Sequence, residues 1–577
     1  MSDFPSSSFA NSQARGREWT VAAGVSLVVS LAVLAPFFKL GIASGHDVAF
    51  HMASWLDVAG QWKQGVLFPR WAEWANFGFG EPRFVFYPPL SWLFGALLGT
   101  IFPWQSVVVI FIVCTQTFAG LSAYSLTRRL TDSRFAALLG AACFVANPYA
   151  LLIIYVRSDF AELLAIAFFP ILLLATMRLT ARFEHTEPPF FKKILLFSLG
   201  YSAIWLCNAP AAVIASYSVA LLVLVAVLQQ RSLRPAMKGA AGITLGFGLA
   251  AFYLIPAIYE QRWVNINGAL AAGLAPAENF LYSHTSDADH DAFNHVASHL
   301  AVFLIFWAIV AATAAWRLES HKEKSHCDSC LFVSLASLAT TASALMLPCT
   351  LIFWRFLPEL RFIQFPWRWM SVLALCAIAF TVRSARGLLR WAWLVLALVA
   401  ITVSAGYLVK KTWWDADDMP ALQTAIQTGA GFEGTDEYDP IGDDRTDLPQ
   451  KPSRAQFYSD QYGLLMGDIG QLRVEKWDAE HRVLMVGSDS DAKVAIRLLN
   501  YPAWRVMVNG SPVSAQHARG TGQMVLPVPA GRSTIRIDFT RTSDRTLGGW
   551  ISIFTWSTSL SILFWKRSRK IPQLANT

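Results

Sequence analysis

Apolar runs of about twenty residues recur along the 577-residue chain, broken by short polar segments in which Lys and Arg gather. At about 1.5 Å of rise per residue, each run is long enough to cross a hydrocarbon core as one helix. The pattern predicts an all-α polytopic membrane protein of about twelve transmembrane helices. The spans fall near 19–43, 105–127, 135–156, 162–179, two within 194–229, then 239–259, 299–317, 330–347, one opening at QFPWRW, 391–409 and 548–565. Asn208–Ala209–Pro210 marks the hairpin inside 194–229, because Pro disfavours a continuous helix. Residues 88–102 are apolar but short and rich in Gly and Pro, which predicts an interfacial or re-entrant helix. Arg128 with Arg129, Arg178 with Arg182, Lys192 with Lys193, Arg231 with Arg234, and the closing Lys566, Arg567, Arg569 and Lys570 place both termini in the cytoplasm.

Between the last two spans the pattern changes from long apolar runs to alternation. Residues 410–471 are rich in Asp, Gly and Pro and read as solvated surface. From there VAIRLL, WRVMVNG, QMVLPV and STIRIDF alternate apolar and polar positions, bounded by turns such as Asn509–Gly510 and Ala530–Gly531. A β-sandwich-like domain on the extracytoplasmic face follows. The predicted organisation is a cytoplasmic N-terminus at 1–18, a transmembrane domain at 19–409 with a structured first outer loop at 44–104, an extracytoplasmic domain at 410–546, and a last helix and tail at 547–577.

Composition sharpens this picture in three places. Charged residues are sparse, 15% of the chain, and the net charge of +8 sits beside span ends as a topology signal, so nucleic acid is excluded as a partner and the lipid bilayer is one. The first run follows Arg15 and Arg17 and is long enough to span, without a small-residue cleavage pattern, so it reads as an uncleaved helix. Of the seven cysteines, most fall inside or at the ends of spans and outline no disulfide framework.

Candidate chemistry collects in the loops of one face. The first loop opens with His46 and Asp47, and His51, Trp55, Val58 and Trp62 follow at helical spacing, predicting a helix along the membrane face with its aromatic side inward. Asp47 is either a catalytic carboxylate or the N-cap of that helix. Asp47 and His51 are also candidate ligands for a divalent metal, the cofactor itself staying open. Arg157, Asp159 and Glu162 stand in a polar turn between the third and fourth spans, either contacting substrate or pairing with each other. Arg361 and Arg368 add cations, Arg368 either binding phosphate or reaching for the surface, and Tyr87 joins His46 and His51 as a substrate-binding candidate. A run of His284, His290, His295 and His299 reads as a flexible loop. His321, His326, Cys327 and Cys330 form a cytoplasmic CxxC cluster that reads as polar loop, zinc site or redox pair.

GHDVAFH, FPRWAEWANFGFGEPRFVFYPPL, YVRSDFAE, QFPWRW, YPAWRVMVNG and VPAGRSTIRIDF, in that order, resemble the bacterial integral membrane proteins labelled 6-pyruvoyl-tetrahydropterin-synthase-related. That family is similar to the GT-C glycosyltransferase superfamily. The resemblance implies inverting transfer of a sugar from a polyprenyl-phosphate-linked donor to an envelope glycan, lipid or protein acceptor at the bacterial inner membrane, on its extracytoplasmic side. It implies Asp47 as base or metal-positioning acid, with Arg157, Glu162 and Arg368 on the family's Arg, acid and FPWR positions. One acid stands where the superfamily carries two, the pattern here being His46–Asp47. A non-catalytic transporter or assembly scaffold for lipid-linked glycans is the rival. Transporters often carry internal repeats, and none is visible between the halves, which weighs for transfer.

Overall fold

The computed structural model describes residues 6–181, 190–320, 326–441, 448–449, 452–461, 463–464 and 470–568, with backbone alone at 6–15, 326–328 and 564–568. Arg182, His321 and the side chains of His326, Cys327 and the closing basic residues from Lys566 onward lie outside the described residues.

Among the described residues nine helices are long and apolar enough to cross a membrane: Gly16–Leu40, Trp104–Leu130, Arg134–Arg157, Phe160–Thr180, Phe190–Cys207, Ala209–Gln230, Arg234–Trp263, Ala288–Ser320 and Leu389–Val409. A tenth arises if Ser329–Leu345 and Pro348–Phe356, which meet at 96°, count as one broken span. Asn208 separates two of these helices as foreseen, its side chain accepting the Ala211 N–H at 2.9 Å. Pro89–Ile101, at 13 residues, is too short to cross. Two expected spans take other forms. Met370–Ser384 has only 15 residues, every one buried, and packs against Ala288–Ser320. The final helix, Ser543–Ser568, is 26 residues long but interrupts its apolar face with Ser and Thr.

Three stretches depart from the sequence reading. The helix Ala288–Ser320 begins well before residue 299, because Asp287 Oδ1 accepts the N–H groups of Asp289 and His290 and two further acids occupy the first turn. His290, His295 and His299 are therefore helical rather than in a flexible loop, and His284 pairs with Asp291. The first-loop helix, Val48–Lys63, does not lie on a surface: residues on all its faces are buried, including Ser54, Asp57 and Gln61. Residues 410–441 are not free surface either. Trp414–Asp415 pairs with Ile42–Ala43, the helix Asp418–Gln427 follows, and Met419, Phe432 and Tyr438 are buried.

Among the described residues the C-terminal β-domain holds two antiparallel sheets of five strands. One has the order Gln516–His517, Gln523–Val528, Ala492–Leu499, Ala455–Ser459, Gly463–Leu464; the other Gln471–Trp477, His481–Ser488, Gly531–Phe539, Trp504–Val508, Ser511–Pro512. Leu484, Val486 and Ile535 of the second sheet and Val494, Ile496 and Leu526 of the first share one apolar cluster. Asn509 and Gly510, both at positive φ, close the hairpin between Trp504–Val508 and Ser511–Pro512. Trp71, Phe79, Val85 and Phe86 of the first loop enter the same cluster, so loop and sheets share a core.

Candidate functional site

The site forms where the first loop meets the end of Arg134–Arg157. That span finishes in a π-helical turn, Ile153–Arg157, and Ser158 then takes a left-handed conformation, φ 54°. The turn swings Arg157 toward the start of the loop, and backbone bonds fix the approach: Asp47 N–H donates to Arg157 O at 2.9 Å and His46 N–H to Val156 O at 3.3 Å. Ser158 Oγ accepts the Gly45 N–H at 3.1 Å and donates to Ala43 O at 3.0 Å. Gly45 is needed there, since a Cβ would lie 2.4 Å from Val156 O.

Asp47 occupies the N-cap position of Val48–Lys63, yet its side chain makes no capping bond. Its Oδ2 instead accepts from Arg157 Nη2 at 2.6 Å, and the carboxylate stays about a third exposed, 32%. Arg157 is buried; its Nη1 lies 3.3 Å from His46 Nδ1, and its guanidinium stacks over Phe365 at 5.0 Å and Trp367 at 5.8 Å. The His46 ring rests edge-on against Phe293 of Ala288–Ser320, a contact the loop reading could not supply.

Behind this pair lies a second, drier layer. Asp159 caps Phe160–Ile166 by accepting the Glu162 N–H at 2.9 Å, and Arg368 reaches across to both acids, 3.0 Å to Glu162 Oε2 and 3.3 Å to Asp159 Oδ2. Its Nη1 also donates to Ile363 O and Gln364 Oε1, so every guanidinium nitrogen of Arg368 has a partner. Glu162 accepts from the Tyr149 hydroxyl as well. Burial opposes ionisation of Asp159, but the His51 ring and the Arg368 cation hold its carboxyl well below the usual range. Arg368 is thus neither at the surface nor open to a ligand; it holds the acids in place.

The other candidates divide. His51 is buried among Phe50, Trp55, Tyr87 and Phe160, and its Nε2 lies 3.2 Å from the Phe160 nitrogen and 3.6 Å from Asp159 Oδ1. Its side chain and that of Asp47 take separate partners, and among the described residues no group of three His, Cys, Asp or Glu could hold a metal. The pair therefore does not fit a divalent cation. Tyr87 packs edge-on against Phe50 and His51, and burial followed by the Asp159 charge pushes its hydroxyl well above its ordinary pKa. Arg361 is exposed, stacks on Phe362 and stays outside this network.

Sequence reasoning missed the buried Glu81–Arg83 pair, 2.6 Å apart, which braces the loop: Arg83 also donates to Ser54 Oγ and Thr435 Oγ1, and Glu81 accepts the Thr435 N–H at 2.8 Å. Two charges within FGFGEPR were the available signal. Trp367 and Phe365 were legible only as part of a motif, not as the aromatic bed beneath Arg157.

The helices and this charged site define a polytopic membrane protein with a β-sheet domain closed over its first loop. Residues 84–414, more than half of the chain, match the family described as the 6-pyruvoyl-tetrahydropterin synthase related domain, a membrane protein family, and the chain belongs to it. An uncharacterised protein of Lactococcus lactis subsp. cremoris is 22% identical over 247 residues, 41% of this chain and 39% of that protein. Among solved structures, the mycobacterial arabinofuranosyltransferase AftD superposes with a TM-score of 0.42 and 16% identity over 68% of this chain and 27% of its own. The chain thus spans well under half the length of either protein, and a TM-score at that level does not establish a shared fold.

Proposed function

We propose that the protein is a GT-C-type membrane glycosyltransferase that moves a sugar from a polyprenyl-phosphate donor to a glycan, lipid or protein acceptor of the cell envelope. The observation that carries this reading is the Asp47–Arg157 pair, a carboxylate left partly open beside a buried guanidinium on an aromatic bed. Asp159 and Glu162, by contrast, are closed off by Arg368.

In this reading Asp47 takes the proton of an acceptor hydroxyl while the acceptor oxygen attacks the anomeric carbon. The bond from that carbon to the phosphate oxygen breaks, with inversion, and Arg157 faces the negative charge arriving on the departing lipid phosphate. Arg368, Asp159 and Glu162 act as positioning residues that fix the turn carrying Arg157. His46 and Tyr87 border the pair as substrate contacts. The sequence resemblance to the GT-C superfamily supports the same assignment. The accompanying architecture is twelve spans with both termini in the cytoplasm of a bacterial inner membrane and a β-sandwich on the extracytoplasmic side, with domain limits at 18, 409 and 546.

The test is transfer of radiolabelled sugar from a polyprenyl-phosphate donor pool by the protein in lipid. Asp47→Asn is expected to lose about 10²–10⁴-fold in rate, the range of general base catalysis, while retaining donor binding. Undiminished turnover by that variant would overturn the role of Asp47, and donor binding without transfer in the wild type would overturn the reaction.

A further inference from the structure

A cavity of about 370 Å³ lies apart from the Asp47 site, at the junction of first loop, β-domain and final helix. Phe68, Phe252 and Phe539 supply apolar wall, and Arg70, Arg541 and Arg545 bring three cations to it. Arg545 is already spent: its Nε and Nη2 bind Glu260 at 2.6 and 2.7 Å, and Tyr501 donates to the same carboxylate.

Arg70 and Arg541 are different. Arg70 stacks on Phe68 and uses Nη2 on Phe252 O at 3.0 Å, but its buried Nη1 has no partner among the described residues. Burial, then the Arg545 cation nearby, presses its pKa down to about 9, against the opposing pull of Glu260 and Asp544. Arg541 is exposed and, among the described residues, makes one long bond, Nη2 to Arg545 O at 3.4 Å. It folds back over Gly549, where an added Cβ would stand 2.7 Å from that same nitrogen. Glu480 on the wall and the nearby Asp544 are the opposing acids.

The cavity lies beside two long helices, close to the outer ends of both. Phe252 belongs to the span Arg234–Trp263 and Gly549 to the final helix, and on the outside of these helices Leu547, Trp550, Ile258 and Tyr259 are exposed. Exposed Trp and Tyr beside Arg, at the end of apolar helices, mark the depth of lipid phosphates. We propose that this cavity binds a lipid-borne phosphate, its oxygens taken by Arg70 and Arg541 and the first carbons of the lipid by the Phe walls. The inference does not depend on the transfer reaction.

The full chain, stripped of lipid in detergent and offered phosphatidylethanolamine, phosphatidylglycerol, undecaprenyl phosphate or diacylglycerol, would be weighed intact by native mass spectrometry. One phosphate-bearing lipid per chain is expected to be retained, and diacylglycerol not; the phosphate lipid held best identifies its source. Arg541→Gln and Arg70→Gln should each weaken retention about tenfold or more, the size of one charged hydrogen bond, and Gly549→Leu should also weaken it by displacing Arg541. Arg541 is exposed, so its variant and Gly549→Leu carry the test if Arg70→Gln does not fold. Equal retention of diacylglycerol, or retention unchanged in the Arg541 and Gly549 variants, would overturn the site.

Discussion

Arg368 carries its charge with almost no access to water, held between Glu162 and Asp159. Removing one partner of such a buried network leaves the others uncompensated, at a cost of about 3–5 kcal/mol. Arg368→Ala should therefore depress the thermal midpoint in detergent strongly, and Arg368→Lys only partly restores it, because an ammonium cannot reproduce the planar fork that meets both acids. Asp47 is partly open to water while its partner Arg157 is buried, and Asp47→Asn keeps an oxygen that Arg157 can bond, so the substitution should cost less stability than Arg368→Ala. A thermal scan of these variants, read beside the transfer assay, separates the residue that reacts from the residues that hold it. An Asp47→Asn protein as unstable as Arg368→Ala would make Asp47 structural.

At the scale of the element, the loop helix Val48–Lys63 carries a buried acid that titrates near neutrality. Burial pushes the Asp57 carboxyl up to about 7, with Glu73 adding to it against the Gln61 and Trp74 hydrogen bonds. Its unfolded pKa is about 4, so the folded state binds the proton more tightly. That stability is fully present below the unfolded pKa and is lost as pH rises through the folded one. Glu437, pushed up to about 7 by burial, acts in the same direction. The thermal midpoint should fall as pH rises from about 4 to about 7, the interval between the unfolded and folded pKa, and Asp57→Asn should flatten the fall; a midpoint insensitive to that substitution over this range would contradict the burial of Asp57. The spacing of His51, Trp55, Val58 and Trp62 made this helix legible. Its burial was not, because the covering elements come from residues 71–101 and 414–435, and periodicity reports one face of a helix rather than the contacts of all. The π-turn at Ile153–Arg157 was equally silent: one extra residue in a turn leaves the composition of the span unchanged, yet it decides where Arg157 points.

Across the whole molecule, the β-domain fixes the first loop from the far end of the sequence. Arg497 donates to Phe77 O and to Gly429 O, Leu499 N–H to Phe79 O, Ala479 N–H to Gln64 Oε1, and Trp71 meets Trp504 edge-on at 5.4 Å. Asn76 and Phe77 are both at positive φ, a conformation that persists only where surrounding contacts hold it. Arg497 supplies such a contact, so Arg497→Ala should release the Trp71–Glu81 segment at a cost of about 1–3 kcal/mol, with two carbonyls losing a charged donor. Hydrogen exchange is the measurement: faster exchange at 71–81, with the strands Ala492–Leu499 and Gly531–Phe539 still protected, is the expected pattern. If exchange rises equally in the strands, Arg497 belongs to the sheet core rather than to the clasp. If it rises in the loop alone and transfer falls with it, the sheets reach the Asp47 site through the loop, since Val48–Lys63 is bonded to this segment at Gln61 and Asp57. The chain then places its charged site at one end of the helices and the structure that steadies it more than four hundred residues later, a dependence that alternation in the strands could announce as a domain but not as a partner of the loop.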